Sequence, residues 1–248
     1  MLFVHGFGCD QNMWRYVAPA FEDSHKVILF DHVGAGRSDL TAFDQKKYET
    51  LDGYSEDIIE IIDALKLKDV IFVGHSVSAM MGVIAAQKRP ELFKHLVLVG
   101  PSPSYINDAD YIGGFTREQI EELLRSMDDN HLGWSNTMAP VIMANPDRPE
   151  LGEELAISFC TTDPVIAKHF ARTTFLTDER KVIGKNNTPT LILQCTNDVI
   201  APQSVGEYMH QHMPNSSLVI LEATGHCPNL SAPAETIAAI KDYLAGDE

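Results

Sequence analysis

Short apolar runs alternate along this chain with longer stretches whose apolar residues recur every three or four positions. Residues 1–4 (Met-Leu-Phe-Val), 27–30, 70–73, 95–99, 190–195 and 217–221 read as short strands with few charges. Between them lie helical patterns. Residues 55–65 carry Ile58, Ile61, Ile62 and Leu65 on one face, and 12–21 set Trp14, Val17 and Phe21 on another. Residues 79–86 and 234–244 also read as helices. Strand–helix alternation of this kind predicts a mostly parallel sheet flanked by helices, with ligands at the carboxyl ends of the strands.

Residues 101–184 break the alternation, because their patterns are helical only. Residues 116–127 open with Thr-x-x-Gln, a capping box, and align Ile120, Leu123, Leu124 and Met127. Further helices are expected at 131–143, 149–160 and 164–176, the last with Asp163 as N-cap and Pro164 in its first turn. The expected organisation is a core of residues 1–100 and 185–248, with 101–184 inserted as a four-helix cap over the strand ends. Phe115, Trp134, Phe159, Phe170 and Phe175 are then either cap core or walls of a pocket beneath it.

The chemistry starts at Gly74-His75-Ser76-Val77-Ser78, between the apolar run 70–73 and the helix at 79–86. A strand that ends in Gly-x-Ser and re-enters as a helix puts the serine on a tight turn, its hydroxyl raised above the sheet. The usual second glycine of Gly-x-Ser-x-Gly is Ser78 here, one of the smaller replacements, so the reading is a strained elbow. A serine hydroxyl needs a base, and the base needs an acid to hold it. His226 follows the run 217–221 and a short loop; Asp198 follows the run 190–195. The order Ser76, Asp198, His226 is that of an α/β-hydrolase. Asp108 and Asp110, after an earlier strand, compete for the acid role, and His5 for the base. The other histidines read as surface or packing residues. His5-Gly6-Phe7-Gly8, directly after the first strand, matches the second oxyanion loop, so the Phe7 and Val77 N–H groups are the expected donors.

Residues 5–14 (His-Gly-Phe-Gly-Cys-Asp-Gln-Asn-Met-Trp), 29–40, 73–77, 100–103 (Gly-Pro-Ser-Pro) and 225–228 (Gly-His-Cys-Pro) resemble the family of the bacterial sigma-B stress regulator RsbQ. They also resemble its plant relatives, the strigolactone and karrikin receptor hydrolases. The resemblance runs essentially end to end. It implies an α/β-hydrolase with a buried apolar pocket under a four-helix lid, acting in small-molecule signalling, with a PAS-domain phosphatase as the partner class. It favours Trp134 and Phe159 as pocket residues, beside the Phe7 side chain expected as a wall and the cap aromatics Phe115 and Phe175. Against the family pattern the chain starts inside the third strand, so an edge hairpin is expected to be missing.

Composition narrows the alternatives. At 248 residues this is one domain of ordinary size, and a net charge of −16 opposes nucleic-acid or anionic-membrane partners. The four cysteines show no metal spacing and no small secreted scaffold, so reduced thiols and a cytoplasmic location are expected. The Gly34-x-Gly36 turn lacks the third glycine and following helix of a dinucleotide site. No metal or organic cofactor is indicated. The expected activity is hydrolysis of a small hydrophobic ester or lactone-like ligand, and the resemblance favours a signalling hydrolase. A metabolic carboxylesterase or lactonase and a ligand-binding module with a vestigial site are the alternatives.

Overall fold

Six apolar runs become six parallel strands in a computed structural model that describes residues 1–246; the last two residues of the expected core segment 185–248 lie outside the described residues. In chain order they are β1 (Leu2–Val4), β2 (Ile28–Phe30), β3 (Val70–His75), β4 (Phe93–Val99), β5 (Thr190–Asn197) and β6 (Ser216–Thr224), arranged β2-β1-β3-β4-β5-β6. Alternate residues of the inner strands feed two separate cores, which is why these runs lack polar alternation. Leu2, Val4, Phe72, Leu96, Leu98 and Ile192 pack on one side with α1 (Leu51–Ala64) and α2 (Val77–Lys88). Phe3, Val73, Val97, Val99, Leu191 and Leu193 pack on the other with Trp14, Phe21 and Ile240.

The block between β4 and β5 is helical: α3 (Arg117–Asp129), α4 (His131–Met143), α5 (Pro149–Thr161) and α6 (Pro164–Phe175). Their ends lie within two residues of those read from the sequence, because the capping chemistry is local. Thr116 accepts from the Gln119 N–H at 3.2 Å while Gln119 accepts from the Thr116 N–H at 2.8 Å. Asp163 accepts from the N–H groups of Val165 and Ile166 at 2.9 and 3.1 Å. The block is tied to the strand-bearing part at several points. Thr173 donates to Tyr48 C=O at 3.0 Å, Ser158 to Gly8 C=O at 2.8 Å, and Arg15 pairs with Glu154 at 2.7 Å. Its apolar interior merges with residues under the strand ends, including Cys9, Met13, Ile200 and Cys227. A short further helix, α7 (Arg180–Ile183), follows these four within 101–184, where four helices are expected; the remaining helices are α8 (Gln203–His212), α9 (Pro228–Ser231) and α10 (Pro233–Ala245).

Residues 12–21 differ from expectation. They form two 3₁₀ turns, Gln11–Trp14 and Ala18–Phe21, instead of one helix. Asp10 caps the first turn by accepting from the Asn12 N–H at 2.8 Å, and Pro19 enters the second. Trp14, Val17 and Phe21 are still buried against the sheet, so the apolar spacing is satisfied by a different backbone. Among the described residues, no helix is long and apolar enough to cross a membrane.

Candidate active site

The β3–α2 turn forces Ser76 into φ 57°, ψ −126°, a conformation that costs a non-glycine residue about 1–3 kcal/mol. The turn is pinned by the Ser76 N–H, which donates to Val99 C=O at 2.8 Å. Close helix–strand approach falls on Gly74, where a Cβ would lie 2.8 Å from the Ser78 carbonyl oxygen, and on Gly82, where it would strike Phe72. Position 78 itself has room for a side chain. The Ser78 hydroxyl is fully buried, donates to His5 C=O and lies 2.9 Å from His32 Nε2. Serine in the second glycine position is therefore a bonded residue and leaves the elbow intact.

Ser76 Oγ donates to His226 Nε2 at 2.7 Å, and His226 Nδ1–H donates to Asp198 Oδ2 at 2.6 Å. Asp198 follows β5, and its other oxygen accepts from the N–H groups of Ile200 and Ala201 at 2.8 and 3.1 Å. Those two bonds fix the carboxylate so that one oxygen is left for the histidine. All three side chains are buried. The competing residues do not reach this group. Asp108 and Asp110 are exposed, and Asp108 pairs with Arg180 at 3.0 Å. His5 donates from Nδ1 to Gly6 C=O at 2.9 Å and accepts from the His32 N–H at 3.1 Å through Nε2, so both ring nitrogens are occupied elsewhere. Burial holds the His5 pKa below its ordinary value.

His75, expected to be a surface or packing residue, supports the base. Its Nε2–H donates to the His226 carbonyl at 2.7 Å. Burial, with the neighbouring His226 adding to it, lowers the His75 pKa to about 3, so this donor stays neutral at ordinary pH. A single sequence carries no signal for that role, because the contact joins the end of β3 to the loop after β6.

Gly6 brings the loop after β1 against the elbow: a Cβ there would lie 2.8 Å from His75 Nδ1 and 3.2 Å from Ser76 Cβ. Phe7 follows directly. Val77 is the first residue of α2, so its N–H has no intrahelical acceptor and sits at the positive end of the helix. Both expected oxyanion donors thus border the Ser76 turn.

A cavity of about 30 Å³ opens at Ser76 and His226, with Phe7, Phe159 and Phe175 in its walls. Two expected wall residues are displaced from it. Trp134 stacks behind Phe159 at 5.5 Å, so Phe159 screens it from the cavity. Phe115 is half-buried outside the lining, where its N–H donates to Tyr105 C=O at 3.1 Å. The structure adds Tyr105 and Thr174, whose buried hydroxyls have no well-formed hydrogen bond among the described residues, and the thiols of Cys9 and Cys227. Burial pushes both thiols well above the ordinary range, so they are walls and not nucleophiles. The result is an aromatic cavity with two hydroxyls beside a serine–histidine pair. Among the described residues no three His, Cys, Asp or Glu side chains are grouped to hold a metal ion.

A sequence profile of the alpha/beta hydrolase fold matches residues 1–233. A strigolactone esterase of Arabidopsis thaliana is 40% identical over 245 residues, covering 98% of this chain and 91% of that protein. The Petunia hybrida protein named karrikin insensitive 2 receptor CA is 36% identical over 248 residues, covering 100% and 92%. Among solved structures, a hydrolase from Oleispira antarctica superposes with a TM-score of 0.96 at 42% identity, covering 98% of this chain and 90% of that one.

Proposed function

The chain belongs to the alpha/beta hydrolase family, and from that premise we propose that it hydrolyses a small hydrophobic ester or lactone-like ligand through Ser76, His226 and Asp198. The observation that carries this reading is the unbroken hydrogen-bonded chain from Ser76 Oγ through the His226 ring to Asp198, at 2.7 and 2.6 Å, opening on a buried aromatic cavity. Ser76 Oγ attacks the carbonyl carbon while His226 Nε2 takes its proton. Asp198 keeps the Nδ1–H tautomer and stabilises the imidazolium. Charge developing on the carbonyl oxygen is met by the Phe7 and Val77 N–H groups. The tetrahedral intermediate collapses, the leaving oxygen takes the proton from His226, and an acyl group remains on Ser76. Water then attacks that ester with His226 as base, releasing the acid and the serine.

A signalling role is the second part of the reading, as a cytoplasmic regulator of the sigma-B stress type with a PAS-domain phosphatase as partner. It is supported by the end-to-end motif set of residues 5–14, 29–40, 73–77, 100–103 and 225–228, and by a relative that is named a receptor. A cavity this small holds about two waters, so a larger ligand requires the four-helix block, residues 101–184, to act as a cap that gives way. A metabolic carboxylesterase or lactonase would use the same chemistry without a partner. Hydrolysis of p-nitrophenyl acetate and butyrate by wild type, Ser76→Ala and His226→Ala tests the chemical core. Because nucleophile and base act as a unit, each variant is expected to lose nearly all the turnover, and equal turnover in all three would refute the assignment.

A further inference from the structure

The carboxyl end of α4 is bonded to the loop that carries His226. Ala144 closes the helix in the left-handed region at φ 49°. The His226 N–H donates to Ile142 C=O at 2.9 Å, and Thr224 Oγ1 donates to Ala144 C=O at 3.2 Å. Gly225 fits between them because it has no side chain: a Cβ would lie 1.9 Å from Met143 O. The main chain of His226 is thus held at both ends, its N–H by α4 and its C=O by His75.

Two half-buried side chains outside the cavity lock this junction. Asn145 Nδ2 donates to Met143 C=O at 2.6 Å and to Thr224 C=O at 3.1 Å. Arg148 donates from Nη2 to Asn145 Oδ1 at 2.6 Å and from Nη1 to Ser231 C=O at 2.8 Å. The guanidinium engages the amide oxygen, so the amide nitrogen has to face the two carbonyls. One side chain therefore bridges α4 and the histidine loop, and the other bridges that amide to α9.

We propose that Asn145 and Arg148 are positioning residues that clamp the end of α4 onto residues 224–226 and so hold His226 at the Ser76 hydroxyl. The proposal rests on the triad reading above. Neither residue lines the cavity, so the clamp acts on the base and leaves the ligand's walls alone. The four-helix block and the base are mechanically one piece at this corner, and any opening of the block has to occur elsewhere or disarm the histidine.

The test uses Asn145→Asp, which keeps the shape and removes the donors, and Arg148→Ala. Arg172→Ala, which breaks the Arg172–Asp128 pair between α6 and α3, is the control for loosening the block away from the histidine loop. Misplacing a catalytic group by about 1 Å costs up to roughly a hundredfold in rate. Each clamp variant is expected to lose about ten- to a hundredfold in kcat on p-nitrophenyl acetate, with KM within about twofold, while the control keeps its kcat. The downfield proton-NMR signal of His226 Nδ1–H, sharp in wild type, should broaden in the clamp variants only. Unchanged kcat and an unchanged proton signal, with only thermal stability reduced, would overturn the proposal, as would equal losses in the control. If wild type shows no Ser76-dependent turnover, the triad reading fails by itself. The proton signal then decides the clamp: broadened in the clamp variants it stands, retained in them it falls.

Discussion

Replacing Ser78 with alanine probes the one position where the elbow departs from the usual pattern. The hydroxyl donates to His5 C=O and faces His32 Nε2 at 2.9 Å; His32 Nε2 also lies 3.1 Å from the same carbonyl. Burial holds His32 neutral, and its Nδ1 makes no hydrogen bond among the described residues, so the ring proton is on Nε2. Removing the hydroxyl leaves the His5 carbonyl with a single, longer donor in a fully buried site. Loss of a buried hydrogen bond costs about 1–3 kcal/mol, offset by a few tenths from the better helix propensity of alanine. For a chain of this size that is about 2–11 °C in Tm. His5 is two residues before Phe7, so its release slackens one proposed oxyanion donor. Complete loss of such a donor costs about 10²–10³ in kcat, and a slackened one should cost about tenfold. Urea unfolding followed by circular dichroism reads the first effect, and p-nitrophenyl acetate turnover the second. A Ser78→Ala protein within about 0.5 kcal/mol of wild type, with unchanged kcat, would refute the reasoning.

Tyr105→Phe removes a buried hydroxyl that has no well-formed hydrogen bond among the described residues, so Tm should hold or rise by the few degrees that about 1 kcal/mol represents, while KM rises for substrates carrying a second acceptor oxygen. A drop in Tm would show that the hydroxyl is bonded within the fold. Acid sensitivity follows from the buried histidines. His5, His32 and His75 all have folded pKa values lowered by burial, His75 to about 3, against about 6.5 when unfolded. Below pH 6.5 the unfolded chain binds protons that the native one refuses, so this stability is complete above pH 6.5 and declines as pH falls. Each histidine contributes up to about 1.4 kcal/mol per pH unit, and urea unfolding at pH 7, 6 and 5 should show the decline; equal stabilities would contradict it.

Local chemistry was legible in the sequence, and packing between distant elements was not. The caps at Thr116, Asp163 and Pro164 and the apolar runs of the strands depend on neighbours in the chain, so their elements appear where expected. The spacing of Ser76, Asp198 and His226 placed them at strand ends, and the fold brings the three within hydrogen-bond reach. Trp14, Val17 and Phe21 misled because their spacing suits two 3₁₀ turns as well as a helix. The cavity walls were the least legible part. Whether Trp134 or Phe159 faces the ligand is decided by how α4 and α5 stack, and Tyr105 and Thr174 carry no local mark of their position. His75 was hidden for the same reason: its partner is 151 positions away.

If Ser76 is a nucleophile activated by His226, a serine-directed covalent label should find it. Wild type, Ser76→Ala and His226→Ala are treated with a serine-directed phosphonate, digested, and the adduct located by mass spectrometry. One adduct, on Ser76, in wild type and a strongly slowed reaction in His226→Ala are the predicted result. A folded wild type that takes up no label, or takes it up at full rate without His226, would contradict the account.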